Sequence, residues 1–98
     1  MRRALSFALM DDAEKLRACV AGATLVEADV MIRFDVQSTS KVLNASSPRL
    51  TEAPHEIRRC LEGALSSRYE AEAADGERFL PDYSGALDLF VRIRASVE

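Results

Sequence analysis

Residues 25 to 37 read Leu25-Val26-Glu27-Ala28-Asp29-Val30-Met31-Ile32-Arg33-Phe34-Asp35-Val36-Gln37. Val26, Ala28, Val30, Ile32, Phe34 and Val36 take every second position, and Glu27, Asp29, Arg33, Asp35 and Gln37 fill most of the gaps. Side chains of a strand alternate between its two faces, so the stretch from about 24 to 37 is predicted as a strand with one buried and one wet side. The pattern returns near the end of the chain, where Leu87, Leu89, Val91, Ile93 and Ala95 alternate with Asp88, Arg92 and Arg94. This predicts a closing strand over 86–95. Met31 and Phe90 break the alternation in the same way, each apolar where a polar residue is expected.

Working outward from the first strand, Ser38-Thr39-Ser40 has the size of a hairpin turn, and 41–45 can return as a second strand before Ser46-Ser47-Pro48 ends it. Upstream, Asp11 or Asp12 can cap a helix, with Glu14 in a capping-box-like position. Leu16, Cys19 and Val20 follow at helical spacing and Gly22 is a plausible stop, which gives a short helix over 12–21. Downstream, Pro54 suits a first helical turn. Ile57, Cys60, Leu61, Ala64, Leu65 and Tyr69 then trace an apolar stripe, with Arg58, Arg59, Glu62 and Ser66 opposite, predicting a helix over 54–69. Asp75-Gly76 marks a turn and 75–85, with Pro81 and Gly85, reads as a loop.

The expected order is helix, strand, strand, helix, strand, in one α+β domain over 11–98 with residues 1–10 as an arm or short strand. An antiparallel sheet that is apolar on one side needs both helices on that side. The expected architecture is therefore a three-stranded antiparallel sheet with two helices packed on one face. Its other face is left for solvent or a partner.

Composition narrows the function. A hydrophobic content of 48% with 30% charged residues is ordinary for a globular chain. A net charge of −3 argues against a general nucleic-acid binder, which shows a basic excess. No apolar run approaches the roughly 18 residues of a membrane span. Met1-Arg2-Arg3 followed by Ala4 to Met10 has the charge order of a signal peptide, but Asp11-Asp12 stand where small residues precede cleavage. With two cysteines and a single histidine, His55, no zinc site and no other cofactor is expected. On residue types alone Cys19 and Cys60 read as two small buried thiols, with one bridge as the alternative.

No nucleophile–base pair is evident, so His55 reads as a solvated side chain and the chain as a non-enzyme. Arg49, Arg58, Arg59 and Arg68 make a broken basic strip, interrupted by Glu52, Glu56 and Glu62. Glu70, Glu72, Asp75 and Glu77 form an acidic run without the spacing of a calcium loop.

The combination of Leu16-Arg17-Ala18-Cys19, Val30-Met31-Ile32-Arg33-Phe34-Asp35-Val36, Pro54-His55-Glu56-Ile57-Arg58-Arg59-Cys60-Leu61 and Leu89-Phe90-Val91-Arg92-Ile93 resembles the C-terminal domains shared by TonB and TolA. It is similar in particular to their cysteine-containing myxobacterial variants. The resemblance implies binding rather than catalysis, with a peptide strand laid along an exposed sheet edge, here the strand 86–95. It also implies a Cys19–Cys60 bridge between the helices and a periplasmic or cell-envelope setting.

Met31, Phe90 and Arg92 are the expected partner-binding residues, the partner being another protein or a second copy of the chain. The competing expectation is a cytoplasmic regulatory subunit with reduced cysteines that binds a small ligand near the loop at 70–85.

Overall fold

The computed structural model describes residues 2–73 and 79–95. Its N-terminal part is helical throughout: α1 (Arg2–Leu9), a 3-10 turn at Met10–Asp12 and α2 (Ala13–Gly22). Where an arm or short strand is expected over 1–10, residues 2–9 form a helix and Met10 opens the 3-10 turn. Leu5, Leu9, Asp12, Leu16, Cys19 and Val20 explain it, because they recur every three or four residues and all are buried. Phe7 and Met10 fall off that stripe and are exposed.

Among the described residues four strands form one antiparallel sheet: β1 (Glu27–Ser38), β2 (Val42–Glu52), β3 (Arg68–Glu72) and β4 (Tyr83–Arg94), in the spatial order β3-β2-β1-β4. The α+β class holds, but the three-stranded sheet expected from sequence is corrected to four. The extra strand comes from the far end of the predicted second helix. That helix, expected over 54–69, is a 3-10 turn at His55–Ile57 followed by α3 (Arg58–Ala64). Leu65 leaves the helical region at φ −80° and ψ 137°, and Ser66-Ser67 turn the chain into β3.

Tyr69, expected on the helical stripe, is buried from β3 instead, with its ring edge-on to Phe34 at 5.8 Å and 82°. In β3 the inward Tyr69 and Ala71 alternate with outward Arg68, Glu70 and Glu72, a period of two that a short helix-favouring composition conceals.

β2 does not stop at Ser46-Ser47-Pro48. Its pairing with β1 shifts register between Arg33 and Asp35, where Ser47 takes φ +52°, and again between Met31 and Ile32. Such bulges absorb an extra residue and let a strand bend. β3 reaches only as far as Ser46, so Pro48 lies where its missing N–H interrupts no ladder with β3. The strand then recovers and buries Leu50.

β4 begins at Tyr83, earlier than the alternation indicates, because Gly85 reads as a loop residue but lies within the strand at φ +155°. Only glycine adopts this backbone without strain, and a Cβ there would meet the Tyr83 hydroxyl at 3.2 Å. The segment before β4 is pinned by buried Leu80, whose N–H donates to the Ser40 carbonyl at 2.9 Å, and by the Ser38 hydroxyl, which donates to the Pro81 carbonyl.

β1 is the centre of the molecule. Ala28, Val30, Ile32, Phe34 and Val36 point inward and are almost entirely covered, as the alternation requires. Leu5, Leu16, Val20, Ile57 and Leu61 from the helical segments close the core over that face. Among the described residues no helix packs on the opposite face of the sheet, and its side chains are mostly exposed.

Candidate functional site

β4 pairs with β1 without interruption from Glu27–Arg94 to Ser38–Tyr83. On its other side it has no strand neighbour among the described residues. Just past the strand, the Ala95 N–H donates to the Val26 carbonyl at 2.9 Å. In an antiparallel ladder the peptide groups alternate in direction, so those of Leu89, Val91 and Ile93 also face β1. Those of Phe90, Arg92 and Arg94 therefore point away from the sheet.

The three expected binding residues come together on this edge and on the open face. Phe90 lies directly opposite Met31, and Arg92 opposite Asp29. Phe90 is 55% exposed and Met31 partly covered. On either side of this apolar pair are ion pairs. The Arg92 guanidinium donates to Asp29 at 2.8 Å and lies 3.4 Å from Glu27. Arg33 donates to Asp88 at 2.8 Å and 3.2 Å in a forked contact.

The hydrogen bond to Asp29, then its charge and that of Glu27, raise the Arg92 pKa. Asp88 does the same for Arg33, by hydrogen bond and then charge. Arg94 reaches Glu27 at 3.2 Å and Arg49 reaches Asp35 at 3.8 Å. Exposed pairs of this kind add little stability, but they set which charges face one another across the sheet.

Along the inner side of the β4 edge runs a groove of about 300 Å³, between Met10, Ala13 and Arg17 of the helical segment and Leu89, Val91 and Ile93 of β4. Val91 is only partly covered there, and Met10 is 62% exposed. Sequence periodicity finds Leu89 and Ile93, but the groove also needs Ser6, Leu9 and Met10 in helical conformation, which an arm over 1–10 does not provide.

Behind this edge the helical segment is locked to the rest of the fold at two points. Cys19 of α2 and Cys60 of α3 form a disulfide, with Cα atoms 5.6 Å apart. Cys19 is buried and Cys60 lies at an exposed position of α3.

The second lock is Asp12. Its buried carboxylate Oδ2 accepts from the Tyr69 hydroxyl at 2.6 Å, the Ser66 hydroxyl at 2.8 Å and the Ser66 N–H at 3.2 Å. Lys15 approaches Oδ1 at 3.8 Å. Burial opposes ionisation of Asp12, yet the hydrogen bonds from Tyr69 and Ser66, with the charge of Lys15, hold its pKa below the ordinary value. Burial, and then donation to Asp12, pushes the Tyr69 phenol up to about 12. The expected cap is not made, since neither Asp12 nor a capping box with Glu14 supplies a side-chain cap hydrogen bond to α2.

The remaining candidates are dispersed. His55 opens the 3-10 turn before α3 and is exposed. Arg49 and Arg58 line one pocket with Arg33 and Glu62, while Arg68 lies on β3 and Arg59 outside that lining, so only part of the basic strip shares a surface. Arg58 donates to Glu62 and to the Leu50 carbonyl, both at 3.2 Å. Arg68 is 3.2 Å from Glu70 and donates to Asn44 at 3.1 Å.

Of the acidic run, Glu70 and Glu72 point outward from β3, and Asp75 and Glu77 lie outside the described residues. Part of the loop expected at 70–85 also lies outside them, and its ends belong to β3 and β4. Among the described residues no helix is long and apolar enough to cross a membrane. Comparison with known proteins finds no matching family model, no matching curated protein and no matching solved structure.

Proposed function

We propose that this chain is a non-catalytic protein-interaction module that accepts an extended polypeptide segment along the outer edge of β4. The observation that carries the reading is the edge itself. It is a twelve-residue strand whose peptide groups at Phe90, Arg92 and Arg94 face outward beside an open groove. Monomeric proteins blunt such edges by shortening, covering, bulging or charging them. Among the described residues β4 from Leu89 to Arg94 is long, unbulged and has no strand beyond it, and carries only the charges of Arg92 and Arg94. Strand addition draws its affinity from main-chain hydrogen bonds and its specificity from alternate side-chain positions. Here one set of positions meets Phe90 and Met31 on the open face, and the other meets the groove beside Met10 and Arg17.

The TonB and TolA resemblance implies the same mode of binding. The Cys19–Cys60 bond supports an oxidising setting such as the cell envelope, since disulfides persist poorly in a reducing cytosol.

The test is selection of peptide binders from a displayed library of random twelve-residue sequences against the unreduced protein, followed by two variants. Phe90→Ala keeps the outward N–H and is expected to weaken the selected peptides. Phe90→Pro removes that donor without touching the ladder to β1, and is expected to abolish binding. Binders indifferent to Phe90→Pro would contradict the edge reading, and equal losses in the two variants would assign binding to the side-chain face alone.

A further inference from the structure

We infer that the segment β4 accepts is β4 of a second copy, in an antiparallel pairing centred on Phe90 that joins two sheets into one; the inference rests on the edge reading above. The sequence of the edge, Leu87-Asp88-Leu89-Phe90-Val91-Arg92-Ile93, is complementary to its own reverse. A twofold axis beside Phe90 sets Phe90 against the second copy's Phe90, Asp88 against its Arg92, Leu89 against its Val91 and Leu87 against its Ile93. Every apolar residue then faces an apolar residue, and every charge faces its opposite.

Rows running across the joined sheet extend the match. In one copy Met31 is opposite Phe90, so the central row reads Met31, Phe90, then the second copy's Phe90 and Met31. The next row reads Asp29, Arg92, then the second copy's Asp88 and Arg33, alternating in sign along its whole length. The ion pairs Arg92–Asp29 and Arg33–Asp88 already made within each copy are kept, and the seam adds a third contact between them. On the inner face the half-covered Leu87 and Val91 pass under the second copy's helical segment, where its groove lies.

Other registers lose this. A slide of one residue turns every side chain to the wrong face. A slide of two sets Phe90 against Asp88 or Arg92 and separates the two rings. Sliding by four places Asp88 against Asp88, or Arg92 against Arg92. The peptide groups agree as well, because Phe90 points its N–H and C=O outward and forms a reciprocal hydrogen-bonded pair with its image.

The experiment combines sedimentation of the full unreduced chain over a range of concentrations with cysteine cross-linking. Both native cysteines are in the disulfide, so an introduced one supplies the reactive thiol. Directly opposed residues of a hydrogen-bonded pair have Cα atoms about 5.5 Å apart, within the span a disulfide bridges. The expected result is a mass that doubles with concentration, and a dissociation constant raised at least about tenfold by Phe90→Pro, the effect of about 1.4 kcal/mol.

Phe90→Cys is expected to cross-link to itself under mild oxidation. Asp88→Cys and Arg92→Cys are each expected to fail alone, since a residue two positions off the axis is about 13 Å along the strand from its image. Mixed together, these two variants are expected to cross-link. A monomer at every concentration, or Arg92→Cys cross-linking to itself as readily as Phe90→Cys, would overturn the inference. A monomer that still selects peptides sensitive to Phe90→Pro would overturn self-pairing alone, whereas a monomer that selects none would remove the edge reading with it.

Discussion

At the residue scale, Asp12 is the position where local pattern and tertiary need diverge. The stripe Leu5, Leu9, Leu16, Val20 calls for an apolar side chain at position 12, and the chain buries a carboxylate there. A charge in that place is tolerated only when hydrogen-bonded, and Tyr69 and Ser66 arrive from the turn and strand after α3 to do so. Tyr69→Phe removes the shortest of these bonds and is expected to cost about 1.5–3 kcal/mol in urea unfolding at pH 7.

The pH dependence has a definite sign. The fold holds Asp12 below its usual 3.8, so its contribution is complete above that value and drains away as pH falls through the folded value. The gap between wild type and Tyr69→Phe should therefore narrow in strong acid, and a gap of constant size there would contradict the assignment. Tyr69 acts in the opposite direction. Its phenol is raised from 10.0 to about 12, so its contribution is present below pH 10 and lost as pH rises toward about 12. No pattern of one sequence reveals Asp12, because a carboxylate before a helix has the ordinary reading of a cap. Gly85 is similar: its φ of +155° makes Gly85→Ala an expected loss of about 1 kcal/mol or more, readable as a lower melting temperature.

At the element scale, legibility follows the length and cleanness of the period. β1 and the second half of β4 are readable because five or more alternations leave no helical alternative. β3 is not, since Tyr69 fits both a helical stripe and an inward strand position, and only the turn at Leu65 to Ser67 decides between them. Pro48 misleads for a different reason. It forbids a central ladder position, but β3 is too short to create one there.

α3 is seven residues long and buries Ile57, just before it, and Leu61. A helix so short draws its persistence from tertiary anchors. The Cys19–Cys60 bond closes a 41-residue separation, which the chain-entropy account values at about 4 kcal/mol. Replacing both cysteines with serine should lower the urea midpoint accordingly and loosen α3 against α2. An unchanged midpoint would show that Ile57, Leu61 and the Asp12 network suffice without it.

On the scale of the whole molecule, the candidate site is legible in part. The exceptional positions Met31 and Phe90 stand out in the sequence, and the structure pairs them across β1 and β4 on the open face. The edge position of β4 agrees with the expectation for 86–95, but the sequence does not contain the surrounding geometry: which peptide groups face outward, and how far the helical segment stops short of covering β4. The peptide directions follow from the pairing of β4 with β1, and the groove from a helical segment that begins with α1, where the sequence suggests an arm. One face of the sheet lies under helices, the other is laced with ion pairs, and β4 has no strand beyond it among the described residues, the arrangement the proposed strand addition requires.

The most direct test of that claim is residue-resolved amide hydrogen exchange in β4 as a function of protein concentration. The account predicts that at high dilution the amides of Leu89, Val91 and Ile93 are protected by β1, while those of Phe90 and Arg92 exchange freely and gain protection as concentration rises. Equal protection of Phe90 and Arg92 at the lowest concentration would mean that the edge is already covered within one chain, and would contradict the account.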